Sequence, residues 1–163
     1  MTIEEYARRP REERLARLAR SPGELGAAVA GRSDAALARR PAATSWAALE
    51  VLCHLRDNEE SFLERFRQIL ETDEPRFPRS NPDRWAEERQ YLTNDAAGAL
   101  AAFERRRGET LELLRGLAPG AWGRAGVHLD SRGRRTLDEF LSVMAWHDDN
   151  HLDQLRRALE GRA

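Results

Sequence analysis

Lysine is absent from these 163 residues: all 27 cationic side chains are arginine. That excludes Schiff-base catalysis and any phosphate-binding loop that depends on lysine. Cysteine is almost absent too. Cys53 stands alone, so no intrachain disulfide can form and a reducing compartment is expected. No apolar run approaches the roughly 18 residues needed to cross a bilayer. Met1 to Pro10 is charged where a signal peptide would carry its apolar core. These absences together predict a cytoplasmic protein with no membrane partner. An excess of one charge sign is also missing, the net charge being −1. With no basic stripe and no interleaved aromatics, nucleic acid is not an expected partner.

What remains is rich in helix signals, with almost no strand-like alternation. Ile3 to Ala19 is dominated by Arg, Glu, Leu and Ala. Ser21-Pro22-Gly23-Glu24 reads as a capping box with proline at the first helical position, so the first helix is predicted to break there and resume over Leu25 to Ala30. Asp34 to Arg39 forms a short helical turn. Thr44 or Ser45 is the expected cap of a long helix over Trp46 to Glu71. Thr72 to Asp83, with three prolines, is a loop, and Arg84 to Tyr91 a short helix. Asn94 or Asp95 caps a third helix over Ala96 to Gly116. Leu117 to Arg135 is a long Gly/Pro-containing connection. Thr136-Leu137-Asp138-Glu139 is a second capping box opening a helix that runs to about Glu160. Four principal helices around one apolar core predict an all-α four-helix bundle.

The chemistry concentrates in four histidines. His147 and His151 are four residues apart on the last helix and project in nearly the same direction. They fall inside its apolar stripe, where an unsatisfied polar group costs roughly 1 to 3 kcal/mol. One shared divalent cation would satisfy both. His54, at the edge of the stripe on the Trp46 to Glu71 helix, can supply a third nitrogen and leave coordination positions open for water or substrate. Asp148 follows His147 where a zincin protease carries glutamate, which argues against a standard metalloprotease. Asn58 shares the His54 face and is a candidate for lining the pocket. Asp57, Asp148 and Asp149 are candidates for fixing ligand tautomers, against a bland reading as exposed charges. Gln154 either supports the pocket or caps backbone. His128, in the Gly-rich connection, could act over the metal as an acid/base group, though an exposed loop position is the default. Cys53 reads as packing, Trp46 and Trp146 as packing near the bundle ends with pocket lining as the alternative, and Arg105-Arg106-Arg107 as a solvated face, the alternative being contact with an anionic thiol cofactor.

The segment Trp46 to Glu59, with His54 at its centre, resembles the second-helix signature of the DinB/YfiT-like superfamily. His147-Asp148-Asp149-Asn150-His151-Leu152-Asp153-Gln154-Leu155 is similar to its C-terminal signature. Trp122 to His128 and Gly133 to Leu137 also resemble that family's approach to the last helix. The resemblance covers Pro22 to the end and treats residues 1–163 as one helical domain, with 1–20 as an N-terminal helical extension. It implies an up-down-down-up four-helix bundle and a divalent metal held by His54, His147 and His151. Nickel or zinc is the expected ion, with iron or manganese as alternatives. It also implies a homodimer and a small-molecule substrate. The expected chemistry is thiol-dependent S-transfer, with a low-molecular-weight thiol as second substrate, or a related hydrolysis. The competing reading is a non-catalytic, stress-related metal-binding protein.

Overall fold

The computed structural model describes residues 1–163. Seven α-helices carry the chain: α1 (Ile3–Ala7), α2 (Arg11–Val29), α3 (Asp34–Leu37), α4 (Ala48–Glu71), α5 (Pro82–Glu88), α6 (Ala96–Arg115) and α7 (Leu137–Leu159). The four long ones form a four-helix bundle in which α2 and α4 each pack against both α6 and α7. Side-chain pairs give the path. Arg14 meets Asp138 and Arg17 meets Asp149, so α2 and α7 run parallel. Arg106 reaches the Arg56 carbonyl and Arg67 reaches Glu109, so α4 and α6 are also parallel. His54 faces His147 and His151 while Phe62 faces Phe140, so α4 and α7 are antiparallel. The order is up-down-down-up.

The expected break at Ser21 is overturned. α2 continues through Pro22, and the chain breaks earlier, between α1 and Arg11. Ser21 faces inward instead of capping, and its hydroxyl donates to Asp148 and lies 3.2 Å from Arg17 Nη1. Thr44 and Ser45 do not cap α4 either. Ala47 holds the cap position, and its N–H donates to Glu50 Oε2 at 2.8 Å, a carboxylate also held by Arg40. The predicted cap of α6 by Asp95 and the box of Thr136 with Glu139 at α7 are both present.

The connection after α6 is not irregular throughout. β1 (Arg76–Phe77), β2 (Ala125–His128) and β3 (Arg134–Thr136) form a small sheet in that order, β1 parallel and β3 antiparallel to β2. Strands of two to four residues are too short to leave a period-two pattern in the sequence. Gly133, at φ +60°, closes the turn between β2 and β3 in a conformation that favours glycine. Gly126 is fixed by crowding: a Cβ there would lie 2.3 Å from the buried Phe77 ring. Gly126→Ala is therefore expected to destabilise the fold by about 1–3 kcal/mol, read as a lowered urea midpoint.

The core has two apolar clusters stacked along the bundle. One gathers Leu25, Leu52, Leu55, Phe103 and Leu155; the other gathers Leu18, Phe62, Phe66, Phe140 and Met144. Between them each long helix contributes one polar residue at the same level: Ser21, Glu59, Arg107 and Asp148, all at least 98 % or so buried save Asp148 at 4 % exposure. Arg107 Nη2 donates to Glu59 Oε2 at 2.7 Å and Asp148 Oδ1 at 3.1 Å, and Nη1 to the Leu18 carbonyl at 3.0 Å. Burial alone would lower the Arg107 pKa, but Asp148 and Glu59 more than offset that and raise it. The expectation of a solvated Arg105-Arg106-Arg107 face fails at Arg107, which is the centre of the bundle's ionic layer.

Candidate metal centre

α4 and α7 run antiparallel, and matching stripes face each other along their shared groove. Helical spacing places His54, Asn58, Phe62 and Arg65 on one line of α4. Phe140, Val143, His147 and His151 do the same on α7. The two ends rich in histidine coincide. His54 Nε2 lies 3.1 Å from His147 Nε2 and 3.0 Å from His151 Nε2. No cysteine, aspartate or glutamate joins the three nitrogens.

All three imidazoles are held neutral. Burial, then the neighbouring His151, push His54 down to about 3, with Asp57 opposing. Burial also lowers His147 well below its usual range, helped by His151, His54 and Arg107. His151 is lowered by burial against the opposing pull of Gln154 and Asp148. Gln154 Oε1 sits 2.8 Å from His151 Nδ1, which places that ring's proton on Nδ1 and turns the Nε2 lone pair into the cluster.

This donor set fits a divalent cation. Bonds of roughly 2.0–2.1 Å at angles between about 90° and 109° require nitrogens about 2.9–3.4 Å apart, and the two measured edges are 3.0 and 3.1 Å. Of the three facing nitrogens the Asn58 amide reaches two, those of His54 and His147, whereas a shared cation would serve all three.

A pocket of about 480 Å³ opens over the histidines, lined by Trp46, Asn58, Phe62, His128, Phe140 and Trp146 among others. The Asn58 amide nitrogen lies 2.8 Å from His54 Nε2 and 3.4 Å from His147 Nε2, so its carboxamide stands at the mouth of the cluster. His128 departs from the exposed-loop default. It is 3 % exposed on β2, its ring packed against Phe77 and Phe140. Its Nδ1 is 3.3 Å from the Gly133 carbonyl, an arrangement that leaves Nε2 without a proton. Burial, then Arg132 and Arg65, push its pKa down to about 4. Trp46 and Trp146 line this pocket while packing against the apolar clusters; the Trp46 ring centre is 5.0 Å from that of His54.

The three aspartates do not touch the ligand rings. Asp57 accepts from Arg56, Arg89 and Tyr91. Asp148 belongs to the ionic layer, and Asp149 accepts from Tyr6 and Arg17. Nor are they the exposed charges of the bland reading: each is tied to arginine, and Asp57 and Asp148 are buried. Gln154 was the ring-orienting residue. Cys53 is buried in the core, where burial pushes its thiol up to about 11, in keeping with packing.

A pH dependence follows. Unfolded imidazoles take up protons near pH 6.5, whereas His54 and His128 resist until about 3 and 4. Between pH 6.5 and 4 the unfolded chain binds more protons, so stability falls as pH falls. The urea midpoint of metal-free protein is expected to drop steadily from pH 7 to 4.5; a flat profile would contradict buried neutral rings.

The model of the DinB superfamily matches residues 17–155. The chain belongs to the DinB superfamily. It is similar to "Putative metal-dependent hydrolase YfiT" of Bacillus subtilis, 28% identical over 131 residues that cover 80% of this chain and 74% of that protein. A solved structure of Bacillus subtilis YfiT, described as a probable metal-dependent hydrolase with an unusual four-helix bundle topology, superposes with a TM-score of 0.85. The match covers 94% of this chain and 89% of that one at 24% identity, and it carries the fold. Likeness to a protein named as a putative metal-dependent hydrolase and the three-histidine cluster together suggest a divalent metal for this DinB-superfamily chain. No helix is long and apolar enough to cross a membrane.

Proposed function

We propose that this protein is a metal-dependent hydrolase whose ion is held by His54, His147 and His151, with nickel or zinc the best-matched ions. The observation that carries this reading is the convergence of three neutral ring nitrogens, 3.0–3.1 Å apart along two edges, at the floor of an open pocket. A divalent cation there supplies positive charge that lowers the pKa of water or a thiol and polarises an electrophilic carbonyl or phosphoryl oxygen. The protein's own groups do the rest. Asn58 offers a hydrogen bond at the mouth of the cluster, where a substrate oxygen would sit. His128, neutral and proton-free at Nε2, lines the same pocket on the arginine side and offers an acceptor to a bound substrate. Phe62, Phe140 and Trp146 form an apolar wall that limits water. Three protein nitrogens with no fourth donor favour an enzyme over a stabilising structural ion, whose sites are normally closed by four protein ligands.

Thiol transfer to an electrophile is the second reading. The pocket volume of about 480 Å³ favours it, being large enough to admit a second reactant beside the first. The thiol would have to come from solution, since Cys53 is buried and protonated. Metal-free protein reconstituted with nickel or zinc should hydrolyse small ester or amide substrates without added thiol. Turnover that appears only with a low-molecular-weight thiol, with the conjugate as product, replaces hydrolysis by transfer. No turnover of either kind at full metal occupancy would count against an enzyme.

A further inference from the structure

The arginines of this chain are almost all accounted for, and the exceptions are informative. Every buried or half-buried arginine makes a side-chain hydrogen bond or ion pair within the protein, apart from Arg65 and Arg135. Arg14, Arg17, Arg56, Arg106, Arg107 and Arg132, for example, are each tied to carboxylates. Arg65 and Arg135 are half-buried, and both line the histidine pocket. Their guanidinium carbons sit 5.7 Å from the Phe77 ring centre and 5.8 Å from that of Phe140 respectively. No carboxylate lines the pocket. Asp130 is engaged by Arg132, and Glu139, whose charge is felt by Arg135 without an ion pair, holds the Thr136 cap through Oε2.

Two unpaired cations in a partly desolvated wall are costly unless something completes them. Their charge is felt nearby. Burial, then Arg132, lower Arg65 to about 10, and Arg65 in turn helps hold His128 neutral. Arg65 stands eleven residues after His54, about 16 Å along the α4 axis. Helical side chains lean toward the N-terminus, which aims Arg65 back toward the histidines. Phe62 and Phe140, 6.1 Å apart, lie between the arginines and the cluster, with Phe62 6.0 Å from His147.

We propose that Arg65 and Arg135 form an anion subsite at the far end of the histidine pocket, and that the substrate is a small, elongated organic anion. Its carboxylate or phosphate sits between the two guanidiniums, its apolar middle lies over Phe62 and Phe140, and its reactive bond reaches the histidines. Guanidinium forks suit both anions. The inference rests on the pocket being the substrate site, as the hydrolase reading has it, but the subsite itself needs no ion.

The test therefore uses metal-free full-length protein. Trp46 and Trp146 line the pocket and report binding by fluorescence. The probes are 4-phenylbutyrate, 4-phenylbutyl phosphate and neutral 4-phenylbutanol. At least one anion is expected to bind ten times more tightly than the alcohol and to weaken as salt is raised; which anion wins identifies the headgroup. Arg65→Gln and Arg135→Gln should each remove most of that preference, Arg65→Lys should keep part of it, and Arg115→Gln, exposed at the end of α6, should leave it intact. Circular dichroism confirms that each variant is folded. Equal binding of anion and alcohol to the unaltered protein, no binding of either anion at millimolar concentration, or an undiminished preference in both glutamine variants overturns the subsite. Loss of metal-dependent turnover with the anion preference intact overturns only the hydrolase reading.

Discussion

Arg107→Met is expected to destabilise the protein by about 3–5 kcal/mol, because it strands Glu59 and Asp148 as uncompensated charges in the bundle interior. For a chain of this length that is a fall of roughly 6–20 °C in melting temperature, measurable by circular dichroism at neutral pH. The fall comes from broken pairing and not from lost volume, since methionine fills much of the space. Replacing Glu59 and Asp148 with leucine in the same chain should recover most of the loss, as apolar substitution of whole buried ion clusters often does. A change below about 1 kcal/mol in the single variant would show that Arg107 is not what compensates the two buried carboxylates.

His54→Ala has the largest expected effect on function. It removes the only ligand contributed by α4 and leaves two nitrogens on α7, which alone form half of a tetrahedral set. Affinity for zinc or nickel should fall about a hundredfold or more, since even losing a partner that only orients a ligand costs roughly 10- to 100-fold. Turnover should fall with it. The fold should survive, because the variant deletes a buried imidazole that the metal-free protein must keep neutral. Competition against a chromophoric chelator reads the affinity, and thermal melting checks the fold. Unchanged affinity in a folded variant would remove His54 from the site.

The three-histidine cluster was legible through spacing. His147 and His151 at i and i+4 in an apolar stripe called for a common partner, His54 at the edge of its own helix's stripe offered a third ring, and the resemblance pointed to the same three. The bundle was legible for similar reasons: long amphipathic runs, the Thr136 box and the Asp95 cap are local signals read without tertiary context. Ser21-Pro22 misled because the tertiary partner won. Proline is tolerated inside α2, and the Ser21 hydroxyl is engaged by Asp148 from another helix.

Other residues were readable but missed. Arg107 lies four residues after Phe103 and four before Leu111, inside the stripe of α6, and Glu59 lies four after Leu55. A charge at a stripe position predicts a buried partner, which the sequence pattern alone cannot name. Arg65 continues the line of His54, Asn58 and Phe62, a periodicity that was there to be seen. His128 could not be placed by sequence, because its burial depends on a parallel pairing with Phe77, fifty-one residues away.

The most direct test of the three-histidine centre is metal analysis of protein purified without a histidine tag, joined to X-ray absorption at the bound metal's edge. One divalent ion per chain is expected, with three imidazole nitrogens at roughly 2.0–2.1 Å and a lighter exchangeable donor. Failure to retain or take up an ion tightly, or a coordination shell without imidazole, would contradict the account.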